Sequence, residues 1–306
     1  MTNAPDFMKG CSITTGVVRY RDLGYVICTM DQHVEDLPHA RIFGRDRGQW
    51  GGRTVDWNAC SGTVCHLPEE RFLTLGVEGE IWAMGGGQTT AEPSIQDGPM
   101  MPGTRGPMRE IRGIAGSHAY AVGTCRQAYK RVAAGQWLCI DQSAQTPVDD
   151  IADTSFESTD GFSEQEIYAV GWEGEIWQFD GRRWIQRQSP TNLALYKVRC
   201  AEDGFVYACG QAGLLLRGRG DRWSVIDHDT TEEDLWGMEW FAGKLFVSST
   251  RFVYELNGGS LSLVDFDDEA PATCYHLSAA DGIMWSIGPK DVMEFDGSVW
   301  SRILSL

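Results

Sequence analysis

Apolar residues in this chain come in short runs, many of them closed by glycine or by an Asp-Gly or Asn-Gly pair. Residues 167–184, IYAVGWEGEIWQFDGRRW, show the pattern most fully. A short apolar run bounded by turn residues reads as a strand. This stretch therefore holds a strand, a glycine turn, a second strand, an Asp-Gly turn and the start of a third strand.

The pattern repeats. Tyr168-Ala-Val-Gly171 is followed at intervals of 39 residues by Tyr207-Ala-Cys-Gly210, Phe246-Val-Ser-Ser249 and Trp285-Ser-Ile-Gly288. Backwards, at 47 or 48 residues, stand Tyr120-Ala-Val-Gly123, Leu73-Thr-Leu-Gly76 and Val26-Ile-Cys-Thr29. A period near 40 residues with aromatic and glycine marks predicts propeller blades. Seven marks in one phase predict an all-β, seven-bladed β-propeller with four-stranded antiparallel blades, a single domain over residues 1–306.

Individual strands follow from the phase. Blade one is expected at 12–20, 24–29, 40–43 and 49–55, and blade five at 195–200, 205–209, 214–217 and 222–226. Blade seven is expected at 273–278, 283–288, 292–295 and 300–303. Both terminal blades then come from contiguous chain and meet as complete sheets; a strand at 8–12 shared between the termini is the alternative. Residues 85–107 lack apolar alternation and read as a long surface loop with at most one short strand. Gly171 and Gly174 are expected to take positive φ, and Asp180-Gly181 and Asp296-Gly297 to form two-residue hairpin turns. Trp184, Trp223 and Trp300 should pack between neighbouring blades.

Composition refines this picture. Twelve Trp and 36 Gly suit aromatic packing between tight turns. No leader-like segment opens the chain and no apolar run spans a bilayer, so a cytoplasmic protein with no membrane partner, monomeric on its own, is expected. Among nine cysteines, Cys28, Cys200, Cys209 and Cys274 fall in strands and read as core thiols; Cys60, Cys65 and His66 lack zinc-site spacing. No cofactor or metal is expected: Asp265–Glu269 offers oxygen ligands without the spacing of a calcium loop.

Net charge is −17, and residues 201–306 carry seven Lys or Arg against eighteen Asp or Glu. Basic residues gather instead in blade one (Arg41, Arg45, Arg47 and Arg53) and at Arg105, Arg109 and Arg112. In a four-stranded blade the loops after the second and fourth strands open on one face. That assigns to one face Asp31, Glu35, Asp36, Glu78, Glu173, Asp227, Asp229, Glu232, Glu233, Asp234, Asp265, Asp267, Asp268 and Glu269, with Asp149, Asp150 and Asp153. Trp172, at a turn tip among them, is the aromatic anchor candidate. Such a face would steer a basic protein partner and repel nucleic-acid phosphates, so direct nucleic-acid binding there is not expected.

Sequence chemistry favours binding over catalysis. The paired glycines of GVEGEIW and GWEGEIW lie between strands, whereas a phosphate site needs glycines leading into a helix. The enzyme alternative is a glycoside hydrolase or lyase with paired carboxylates in a central pocket, for which Asp153, Asp234 and Glu239 are placed nearest the axis. His66 and His276 adjoin first strands, His33, His39 and His228 lie in the acidic loops, and His118 reads as structural.

The repeat Y-A-x-G-x-x-G-x-I-x-x-F-D-G-x-x-W resembles that of bacterial WD40/YVTN/BNR-like and sialidase-like propellers, including photosystem II assembly-factor-like proteins. It is clearest at 168–184, 207–223 and 285–300. The resemblance implies a propeller. Sialidase Asp-boxes have the form S-x-D-x-G-x-x-W, whereas this chain has FDGRRW at 179–184 and FDGSVW at 295–300, with no Ser-x-Asp. The expectation is a non-catalytic protein-binding propeller: an immunity protein that neutralises a toxin, or an assembly factor.

Overall fold

The computed structural model describes residues 4–32, 39–95, 105–145, 154–266 and 269–306. Among them, 28 strands form seven four-stranded antiparallel sheets. Blade one comprises Cys11–Tyr20, Leu23–Met30, Ala40–Asp46 and Gln49–Val55 (β1–β4). Blade two comprises Ala59–Cys65, Arg71–Gly76, Ile81–Gly85 and Gln88–Glu92 (β5–β8). Blade three comprises Met108–Gly113, Ala119–Gly123, Gln127–Ala133 and Gln136–Cys139 (β9–β12). Blade four comprises Phe156–Ser163, Glu166–Gly171, Ile176–Phe179 and Trp184–Arg187 (β13–β16). Blade five comprises Leu195–Cys200, Val206–Gly210, Leu215–Arg219 and Arg222–Val225 (β17–β20). Blade six comprises Gly237–Phe241, Lys244–Ser248, Val253–Asn257 and Ser260–Leu263 (β21–β24). Blade seven comprises His276–Ala280, Ile283–Ile287, Asp291–Phe295 and Trp300–Ser305 (β25–β28). This is the seven-bladed propeller that the repeat predicts.

The chain divides into two compact units, Cys60–Asp227 with blades two to five, and Met1–Ala59 with His228–Leu306, which hold blades one, six and seven. In the first unit Trp184 packs between Phe156 and Phe179 within a core that includes Ile114, Tyr120 and Val122 of blade three. Trp223 of blade five meets Tyr168 of blade four edge-on, with ring centroids 6.0 Å apart. In the second unit Trp300 of blade seven stacks on Phe295 at 4.7 Å and packs with Phe246 of blade six. All three tryptophans bridge neighbouring blades as expected, and burial of each large ring contributes roughly 1.5–3 kcal/mol.

Blade one meets blade seven as one complete sheet against another. Val18 N–H donates to Ser278 Oγ at 3.0 Å, Ile13 N–H donates to the Pro289 carbonyl at 2.9 Å, and Trp285 fills the space over Gly24. Residues 8–12 do not supply a shared strand: Met8 ends a short 3-10 turn and Cys11 begins β1.

Of the local expectations, one is met and two need correction. The short strand allowed within residues 85–107 is β8, residues 88–92, paired with β7 from Ile81↔Glu92 to Gly85↔Gln88. Its sequence, QTTAE, hides it because an exposed outer strand needs no apolar face. Gly171 is extended (φ −165°) and has another reason to be glycine. A Cβ there would stand 1.6 Å from the Ser155 carbonyl oxygen, while Glu173 (φ 56°) and Gly174 (φ 71°) take the left-handed conformations. The Asp-Gly turns span four residues rather than two. Asp180 accepts the N–H groups of Arg182 and Arg183, both at 2.9 Å, and Asp296 those of Ser298 and Val299. Where blade six has lost its glycine and closing tryptophan, Ser249 Oγ accepts the Phe252 N–H at 3.1 Å and Leu261 is buried.

Candidate partner-binding surface

In blades four and five the hairpin between the second and third strands is built by local bonds. In blade four, Gly171 N–H donates to Glu175 O and Glu175 N–H to Trp172 O, both at 3.2 Å; blade five repeats this with Gly210, Leu214 and Gln211. The turn pushes Glu173 into solvent and leaves Trp172 half-buried, with the Arg109 guanidinium 5.7 Å over its ring. Beneath it, Glu175 accepts hydrogen bonds from Arg126 Nε at 2.7 Å and Trp177 Nε1 at 2.6 Å. A shallow polar cleft of ≈ 470 Å³ opens beside Glu173, Arg126, Gln186 and Ser189.

The first strands of blades three to five start with a β-bulge. Met108 pairs with Gly123 and Glu110 with Val122, so Arg109 is extra; Glu157 and Tyr196 are extra in the same way. A bulge re-aims one side chain out of the strand alternation. Arg109 Nε and Glu157 Oε1 lie 3.3 Å apart. Just inside the bulges, Glu110 accepts the Thr159 N–H at 2.7 Å and pairs with Lys197 of blade five. Asp160 accepts the Cys200 N–H at 2.9 Å and pairs with Arg112 and Arg199. These buried pairs tie three first strands together.

In the unit holding blades six and seven, Trp236 N–H donates to the Ser248 carbonyl, the residue that Gly237 already faces. Trp236 and Tyr275, each just ahead of a first strand, have ring centroids 5.7 Å apart. Thr230 Oγ1 donates to Leu261 O at 2.7 Å, and Cys274 N–H to Thr250 O at 3.1 Å. Thr230 thereby ties the loop after β20 to β24, and Cys274 ties the loop after β24 to the turn between β22 and β23. Residues 226–236 and 264–275 contain no Lys or Arg.

The expected acidic residues have different settings. Asp227, Asp229 and Glu232 are exposed in the first of these loops, and Asp265 and Glu269 in the second. Glu233 lies 3.4 Å from Arg251, Asp234 is half-buried, and Glu269 accepts the Arg302 N–H at 3.4 Å. Asp31 is held by Lys290 Nζ at 2.6 Å and Ser12 Oγ at 2.5 Å, and these two bonds lower its pKa. Glu78, in blade two, and Glu173, in blade four, are exposed turn residues. Glu35, Asp36, Asp267 and Asp268, with His33, Asp149, Asp150 and Asp153, lie outside the described residues.

Glu239, the buried carboxylate placed near the axis by the enzyme alternative, accepts the Trp240 N–H at 3.0 Å and the Ala279 N–H at 3.3 Å. His66 stands in an exposed turn 3.5 Å from Glu70, whereas His118 is fixed by Glu164 at 2.6 Å. All nine cysteines are free thiols; burial pushes Cys60 and Cys274 up to about 12. Sequence reasoning counted Arg109 only among the basic residues, and missed Glu157, Tyr196, Trp236 and Tyr275. A usable signal existed: each follows an apolar residue that recurs in the blade phase at or just ahead of a first strand (Met108, Phe156, Leu195, Leu235 and Cys274).

Over 295 residues the chain is 50% identical to the immune protein Tsi7 of Pseudomonas aeruginosa, covering 94% of this chain and 96% of that one. No protein-family model matches it. Among solved structures it is similar to the WD40 β-propeller domain of Doa1, with a TM-score of 0.66 at 14% identity over 95% of this chain and 92% of that one. It is similar to YCF48 bound to D1 peptide, with a TM-score of 0.66 at 13% identity over 92% and 90% of the two chains. YCF48 from Cyanidioschyzon merolae gives 0.64 at 12% identity over 93% and 92%. These structural likenesses carry the fold.

Proposed function

Because the chain belongs to the family of the immune protein Tsi7, we propose that it is itself an immunity protein, a non-catalytic propeller that binds a toxic protein and neutralises it. The observation that carries this is 50% identity across nearly the whole of both chains, which leaves no large segment of either unaccounted for. Membership of an immune-protein family fits a protein without catalysis, and the assembly-factor reading has only likenesses at 12–13% identity beside it.

The binding mode is part of the proposal. Asp227, Asp229, Glu232 and Glu233, in a loop without Lys or Arg, meet a basic surface of the toxin, and Trp236 and Tyr275 give that contact an aromatic base. Acidic charge raises the encounter rate and aromatic burial slows dissociation. Trp172 and Glu173, within the unit of blades two to five, are the alternative contact. Action in the cytoplasm belongs to the same proposal.

Contact competition tests it. A strain lacking this chain should be killed by its own parent and rescued when the chain is supplied on a plasmid. Survival of the lacking strain beside an actively killing parent would sink the immunity reading.

A further inference from the structure

The basic residues of blade one have no part in that binding mode: Arg53 stands on the open strand β4, and Arg41 and Arg45 on β3 beside it. β4 ends its sheet, so its outer backbone edge has no strand partner within the blade. It pairs with β3 from Ala40↔Val55 to Asp46↔Gln49 without a register shift, and at 7 residues it is the longest fourth strand among the described residues. Long regular edges are normally blunted by bulges, proline or brevity; here only charge does so.

Two cavities of ≈ 410 and ≈ 490 Å³ flank Phe7, which is 47% exposed with its ring 5.7 Å from that of Phe43. Arg41 and Arg53 line the first, with the backbone of Gly51 and Gly52; Arg45 and Arg302 line the second, with Trp50. No carboxylate is among the described residues lining either cavity. Arg53 is exposed, and Arg45 meets a carboxylate only at the 3.9 Å of Glu294. Gly52 lets the Phe43 ring lie flat on the strand, and Gly51 leaves open space where a side chain would stand.

We propose that the β4 edge is a docking site for an extended acidic segment of a protein partner, which adds to the sheet as a further strand. Main-chain bonds along β4 would hold the segment, and Arg45 and Arg53 would receive its carboxylates, Arg302 being already paired with Asp291. A second copy of this chain fits less well, because two β4 edges side by side would bring the same arginines together. The inference rests on blade one and is independent of the acidic loops.

The probe is a fluorescent extended peptide of alternating Glu and Val, with a Lys-Val peptide as its counterpart, followed by anisotropy. The Glu-Val peptide is expected to bind saturably and to weaken with salt, and the Lys-Val peptide not to bind. Arg53→Glu and Gly51→Glu should each weaken binding tenfold or more while leaving thermal unfolding unchanged, since both sites are open to solvent. The proposal is overturned by absence of saturable Glu-Val binding, by equal binding of both peptides, by variants that bind as the parent does, or by a dimer in sedimentation that the same substitutions dissolve.

Discussion

Trp184 has ring centroids 5.2 Å from both Phe156 and Phe179, and its indole N–H has no acceptor. Its value is therefore packing. Trp184→Ala should cost roughly 3–5 kcal/mol in denaturant unfolding, and Trp184→Phe much less, because the smaller ring also removes an unpaired buried donor. Gly171 makes the opposite demand. An added methyl would meet the Ser155 carbonyl oxygen, so Gly171→Ala is expected to destabilise by about 1–3 kcal/mol or more in the same assay. The repeat made this glycine visible but gave the wrong reason for it, since close approach between strands of one blade is a tertiary fact. Glu164 supplies a pH test. Burial raises its carboxyl, but hydrogen bonds from Lys130, Ser117 and His118 outweigh burial and hold it at about 2, below the ordinary 4.5. A carboxyl lowered on folding contributes stability that is complete above 4.5 and lost as pH falls towards 2. Unfolding free energy should drop across that window, and the drop should be shallower in Glu164→Gln.

At the scale of elements, inner strands were legible and outer ones less so. Residues 206–210 are flanked by strands on both sides and wholly buried, so VYACG reads as strand from apolar character alone. β8 has one exposed edge and polar residues, and only its hairpin with β7 defines it. The bulges were illegible for a related reason: an extra residue leaves the apolar run intact and changes only which way one side chain points. That is why Trp172, at a visible turn, was singled out while Trp236 and Tyr275 were not. Trp236→Ala should then cost more protection in competition assays than Trp172→Ala, whose ring is shared with Arg109. Equal loss in both would contradict the placing of the contact at Trp236 and Tyr275.

For the molecule as a whole, the repeat dictates seven blades because each sheet must bury both faces against neighbours. The meeting of blades one and seven as complete sheets rests on side chains such as Trp285 over Gly24. Gly24→Ala would press a methyl to 2.2 Å from that ring and should lower the thermal midpoint without changing the blade count. Net charge was legible at once, but its partition was not: Lys290 and Arg251 take up Asp31 and Glu233, while the loop after β20 keeps exposed Asp229 and Glu232. The most direct measurement is a titration of the purified chain against the toxin whose killing it prevents, at low and high salt. The account predicts saturable binding that weakens as salt screens the charges, and weaker binding at low salt for Asp229→Lys and Glu232→Lys. Protection in cells with no binding at either salt, or binding unmoved by salt and by both substitutions, would contradict it.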